Sequence, residues 1–147
     1  GEYTPRQSIP TISNAMDVGA PSNFARMLDL YGSTWNTLRS WVSGYAFSDE
    51  QTKEAMREVD TRYRYVMDPH GAVGYLAFRR FQAEEPNTRS VILETAHPAK
   101  FLEEVESILG HTIEVPERLA VLRKKEKQSV SMPADFQVFK EWLATHY

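Results

Sequence analysis

Two stretches of this sequence are too rich in small and polar groups to be ordinary core. The first, Ser13-Asn14-Ala15-Met16-Asp17-Val18-Gly19-Ala20-Pro21-Ser22-Asn23, is a loop that leads into a helix start. The second, Thr95-Ala96-His97-Pro98-Ala99-Lys100, follows directly on the apolar run Val91-Ile92-Leu93. In open α/β sheets ligands collect beyond the carboxyl ends of strands and beside the amino ends of the next helices, where backbone N–H groups are free. Thr95 occupies that position. The structural alternative is that Thr95 and His97 cap the following helix and that Ser22 caps its own.

Other chemistries find little support. His70, His97, His111 and His146 are scattered, and none forms an i, i+4 pair with an intervening Glu, so no metal site is expected. There is no Gly-x-Ser-x-Gly elbow for a serine hydrolase. Gly71 and Gly74 sit inside a helical pattern and not after a strand, which makes them packing residues and not a phosphate cradle. With no cysteine, disulfides, thiolate zinc sites and cysteine nucleophiles are excluded, which suits a reducing, cytoplasmic setting.

The elements that must position these residues follow from patterning. The chain has 147 residues, 41% apolar and 25% charged, the balance of one globular unit and not of a disordered one. A net charge of −3 offers nucleic acid no general attraction, and Arg123-Lys124-Lys125-Glu126-Lys127 reads as a solvated face. No apolar run approaches the ~18 residues that a membrane span requires. Residues 1–11, with Pro5 and Pro10, form an extended arm. A helix is expected from Ser22 to Tyr31, and another from Thr34 to Val42 with Trp35 and Trp41 facing the core. A third runs from Ser48, whose hydroxyl and Gln51 make a capping box, to Arg62. Asp68-Pro69 opens a fourth, to Phe81. Its early face, Gly71, Ala72, Gly74 and Ala77, is small enough to let something pack tightly against it.

Tyr45-Ala46-Phe47 reads as a brief strand and Val91-Ile92-Leu93 as one buried on both faces. After His97-Pro98, Phe101, Val105, Ile108 and Leu109 share one side of a helix that Gly110 ends. Two helices close the chain, 116–125 and 134–143, the last with Phe136, Phe139 and Leu143 inward. Strands alternating with helices predict an α/β fold with a parallel sheet. Two strands cannot complete one, so an incomplete parallel sheet within a larger α/β unit is expected, or else a mostly helical domain with a small sheet.

SNAMDVGAPSNFARM (13–27), SDEQTKEAM (48–56), DPHGAVGYLAF (68–78), TAHPAKF (95–101) and MPADF (132–136), in this order, closely resemble the C-terminal part of the threonine synthase family. These are pyridoxal phosphate enzymes of the tryptophan synthase β type (fold type II). The resemblance runs from about Ile9 to Leu143, and SNAMDVG with TAHPAKF is its most specific part. It implies conversion of O-phospho-L-homoserine and water to L-threonine and phosphate, a carbon–oxygen lyase chemistry in which the cofactor is an electron sink. It also implies that the pyridine nitrogen meets a neutral hydroxyl near the end of a late strand, and Thr95 is the matching position. Asn14, Asp17 and His97 are similar to residues of loops near the active site.

The family's Schiff-base lysine, in a Ser-Phe-Lys-Asp setting, and its Gly-rich phosphate loop lie upstream of the part resembled, and neither motif occurs here. Of the lysines only Lys100 is near the suspected site, and its place in TAHPAKF is not that of the cofactor lysine. The expectation is a C-terminal fragment that holds no catalytic residue, binds no pyridoxal phosphate and is inactive without the upstream part of the protein. A phospholyase of the same fold and a non-catalytic binding module are the alternatives.

Overall fold

The helix that Ser48 opens supplies the buried stripe at the centre of the hydrophobic core. In the computed structural model, which describes residues 3–13 and 18–147 with the backbone alone at 123, Ser48 Oγ accepts from Gln51 N–H at 3.3 Å. The Ser48 N–H in turn donates to Gln51 Oε1 at 2.9 Å, closing the expected capping box. The described residues group into two compact units, one ending at Glu114 and the other beginning at Val115.

The first unit contains α1 (Phe24–Leu30), α2 (Trp35–Trp41), α3 (Asp49–Tyr63), α4 (Pro69–Glu84), a 3-10 turn (Pro98–Phe101) and α5 (Leu102–Leu109). Thr52, Ala55, Met56 and Val59 recur at helical spacing along α3, and that stripe is buried. Ala72 and Tyr75 of α4, Met67 before it, and Val105 and Ile108 of α5 close over the stripe. Polar ties hold the same helices. The Tyr75 hydroxyl and Arg79 both donate to Glu58, at 3.1 and 3.0 Å, and Arg57 Nε donates to the Ile108 carbonyl at 3.0 Å. Gly110 ends α5 with φ +75°, a left-handed conformation that glycine adopts without a Cβ penalty.

The small face of α4 receives what the sequence anticipated only as tight packing. Residues 92–94 lie on it: a Cβ on Gly74 would come within 3.3 Å of Ile92 Cγ2, and one on Gly71 would overlap the Glu94 carboxylate. The arm is tied down by the Arg6 N–H to the Gly19 carbonyl at 3.2 Å and by Tyr3 stacked on Phe24.

Several expectations are corrected. No strand ladder forms among the described residues, so neither Tyr45-Ala46-Phe47 nor Val91-Ile92-Leu93 belongs to a parallel sheet here. A ladder needs a partner, and neither stretch has one. Val91–Leu93 is also not buried on both faces, since Val91 is 85% and Leu93 77% exposed. Trp35 and Trp41 are exposed and not core, because the short α2 buries none of its residues. Ser22 is not a cap either; Asn23 holds that position and makes no side-chain capping bond.

The second unit contains α6 (Glu117–Arg123) and α7 (Phe136–His146). The Asp135 carboxylate caps α7 by accepting from Gln137 and Val138 N–H at 2.8 and 3.1 Å. The expected inward face of α7 is open: Phe136, Phe139 and Leu143 are all exposed, and a unit this short has too little chain to cover them. No helix of the described residues is long and apolar enough to cross a membrane.

Candidate functional site

From Val91 to Thr95 exposure alternates residue by residue: Ile92 and Glu94 are half-buried on α4, while Val91, Leu93 and Thr95 face out. This period of two is that of an extended chain with one covered side, and it fixes where Thr95 points. Its hydroxyl enters none of the hydrogen bonds among the described residues. The chain then bends at Ala96 and enters the 3-10 turn.

His97 is the capping residue of that turn, with Ala99 N–H donating to its Nδ1 at 3.1 Å. A ring nitrogen that accepts carries no proton, so the neutral imidazole is protonated at Nε2. The capping alternative therefore holds for His97 and not for Thr95. His97 also lines a cleft of about 360 Å³ with Tyr65, Val66, Pro98, His111 and residues 112–114. On that wall the His111 ring lies between Asp60 Oδ2 at 2.9 Å from Nε2 and the Thr112 carbonyl at 3.0 Å from Nδ1. Two acceptors favour the doubly protonated ring, and the Thr112 carbonyl, then Asp60, push the His111 pKa up.

Lys100 Nζ lies 5.5 Å from the Phe101 ring centroid, a cation–π contact. Asn14 and Asp17 lie outside the described residues. No group of three or more ligating side chains that could hold a metal occurs among the described residues. The structure thus brings Thr95 and His97 to the same bend and leaves Lys100 beyond it.

Sequence reasoning missed Glu94. Its carboxylate lies against Asp68, the cap of α4, and burial followed by the neighbouring Asp68 carboxylate raises its pKa to about 7. Asp68 is wholly buried; its Oδ1 accepts from His70 N–H at 2.9 Å and faces His70 Nδ1 at 2.7 Å. The phenol of Tyr65 is pushed up as well, by burial first and then by Glu94 and Asp68. The available signal was the spacing of Glu94 two residues beyond Ile92, on the covered side of an extended chain, opposite a helix face of small residues.

Comparison with known proteins places these features in a family. A family model described as "Threonine synthase, C-terminal" matches residues 71–143. Threonine synthase of Escherichia coli (strain K12) is 38% identical over 147 residues, covering 99% of this chain and 33% of that protein. The Serratia marcescens threonine synthase is 38% identical over 143 residues, covering 97% of this chain and 32% of that one. The crystal structure of the Escherichia coli enzyme matches with a TM-score of 0.73 at 36% identity, over 99% of this chain and 33% of that chain. A crystal structure of PLP-bound threonine synthase from Brucella melitensis matches in fold, with a TM-score of 0.63 at 23% identity, over 98% of this chain and 36% of that one. The chain spans about a third of the length of the curated relatives it matches.

Proposed function

We propose, from the premise that this chain belongs to the threonine synthase family as a C-terminal part of it, that it works as the final third of a pyridoxal phosphate enzyme making L-threonine and phosphate from O-phospho-L-homoserine and water. The observation that carries this reading is the coverage: nearly the whole chain matches, against a third of each relative. On this reading both units belong to one catalytic region, the 45–47 and 91–95 stretches join a fold type II sheet supplied by the upstream part, and the enzyme is cytoplasmic.

The residues present fit one contact to the cofactor. Thr95 ends an extended segment with its side chain on the open face and its hydroxyl uncommitted among the described residues. A hydroxyl can donate to a ring nitrogen or accept from it, and so holds the ring without forcing a positive charge on it. When bound, pyridoxal phosphate supplies the electron sink for the elimination and hydration steps. His97, its Nδ1 engaged by the turn, lines the cleft two residues along the chain from Thr95 and keeps Nε2 free to donate. By the family resemblance of SNAMDVG, Asn14 and Asp17 are proposed to serve the same site. None of the chain's lysines stands in the family's Schiff-base setting, so on this reading it is inactive alone and binds neither cofactor nor substrate.

A chimera tests the proposal. Replacing the corresponding last third of the Escherichia coli enzyme by this chain should give a protein that converts O-phospho-L-homoserine to threonine and phosphate, while the chain alone converts none. A chimera that folds and binds pyridoxal phosphate yet yields 2-oxobutyrate would move the assignment to a phospholyase. One that yields neither product, or threonine formed by the chain alone, would overturn the reading.

A further inference from the structure

Asp68 and Glu94 meet across the first turn of α4, and each brings an oxygen that nothing satisfies. Asp68 Oδ2 and Glu94 Oε1 are both buried, and neither has a hydrogen-bond partner among the described residues. Ionised carboxylates only accept, so two of them facing each other would leave both oxygens unpaired and set like charges together away from water. Among the described residues no Lys or Arg cation acts on Glu94. The titratable groups facing the pair are His70 on α4, held at Asp68 Oδ1, and Tyr65 on the stretch before α4. One proton answers both orphan oxygens at once, as an O–H of one acid donating to the carboxylate of the other.

The geometry says which residue carries it. Asp68 already receives the His70 N–H at 2.9 Å and caps the N–H end of α4, a place that calls for an acceptor and not for a donor. Glu94 has no comparable donor set among the described residues, where the Asp68 backbone N–H is the donor that bonds to it. The proton therefore sits on Glu94 and is directed at Asp68 Oδ2. Room for this exists only because position 71 is glycine, since a Cβ there would occupy the space of the Glu94 carboxylate.

We propose that Asp68 and Glu94 hold a single proton between them, and that this bond clamps residues 92–95 to the first turn of α4, making Glu94 a positioning residue for Thr95. The consequence for Thr95 rests on the function proposed above; the shared proton and the clamp do not. Ile92, seated on Gly74 two residues earlier, is the second point of the same attachment. When the proton leaves, the two charges repel and the attachment is reduced to Ile92 alone.

The test is a pH titration of the full chain by carboxyl-carbon NMR with labelled glutamate, read together with the Ile92 methyl resonance. Glu94 should titrate near 7, with the Ile92 methyl shifting at the same midpoint. In Asp68→Asn the amide is a permanent donor, and the Glu94 midpoint should fall toward the ordinary ~4.3 of a glutamate. In the chimera, turnover should fall as pH rises through about 7, where the Glu94 proton leaves; Glu94→Gln donates to Asp68 at every pH, so its Ile92 methyl should stay fixed and that fall in turnover should disappear. A wild-type Glu94 midpoint below about 5, a midpoint untouched by Asp68→Asn, or an Ile92 shift surviving in Glu94→Gln would overturn the proposal. Should Thr95→Val leave turnover unchanged, the role of Thr95 falls while the Glu94 titration stands, so the two readings fail separately.

Discussion

Replacing Gly71 with alanine sets a gain in helix propensity against the loss of the carboxyl pair, and pH decides which wins. Gly71 is the third residue of α4, where Gly→Ala normally stabilises by roughly 0.5–1 kcal/mol. The new Cβ would overlap the end of the Glu94 side chain, which is flexible, so the carboxyl group swings away and the backbone stays. Below the Glu94 pKa of about 7 that movement breaks an O–H···O⁻ bond. A hydrogen bond to a charged group contributes roughly 1.5–3 kcal/mol, so the variant should be less stable by ~1–2 kcal/mol at pH 5. At pH 8 the proton is already gone, departure of Glu94 relieves repulsion, and only the propensity gain of about 0.5–1 kcal/mol remains. Urea denaturation at both pH values reads this directly; with a slope of about 1–3 kcal/mol per molar, the midpoint should fall by several tenths molar at pH 5 and rise at pH 8. A change of the same sign at both pH values refutes the shared proton, and stabilisation at pH 5 would do so most directly.

Thr95→Val in the chimera keeps the β-branched shape and removes the hydroxyl, so turnover or cofactor affinity should drop roughly ten- to a hundredfold (~1–3 kcal/mol) with little change in Tm. A lowered Tm with normal turnover per folded molecule would make Thr95 a structural residue. Ser48→Ala removes one half of the capping box on α3 and should cost about 1 kcal/mol, measurable as a lower denaturation midpoint with unchanged slope. The raised pKa of His111 means that its bond to Asp60 stabilises fully below the unfolded value of ~6.5 and is lost as pH rises through the folded value. His111→Phe should therefore show a smaller fall in stability between pH 6 and pH 9 than the parent; an identical fall would exclude His111 as its source. Glu94 acts in a lower window. As an acid with a raised pKa it leaves stability intact below ~4.5 and diminishes it as pH rises to about 7.

What the sequence made legible is what closes within one or two helical turns. The Ser48/Gln51 box, the Asp68-Pro69 start and the Gly110 stop all appear as expected, because each is satisfied by neighbours two to four residues away. The small face of α4 was legible too, as a surface awaiting a partner. Burial was not, wherever nothing among the described residues covers a face: Trp35, Trp41 and the aromatic residues of α7 have amphipathic spacing, but spacing identifies a face and does not supply what covers it. The site divides in the same way. His97 could be assigned as a cap from its place before Pro98, whereas Glu94 acquires its meaning from Asp68 and Gly71, which only the fold brings to it.

Register explains why so much attachment is concentrated on two side chains. Along an extended segment a slip of one residue exchanges the two sides, so Thr95 would turn onto α4 and Glu94 would face outward. Val91 and Leu93 gain nothing here from either arrangement, being exposed, and the segment has no ladder to hold it in place. The correct phase is held by Ile92 on Gly74 and by Glu94 over Gly71, positions three residues apart on α4 and therefore on one side of that helix. In the proposed enzyme, neighbouring strands from the upstream part would meet a segment already in phase. Burial of Val91 and Leu93, at roughly 1.5–3 kcal/mol each, would then favour only the docking that leaves Thr95 directed at the cofactor.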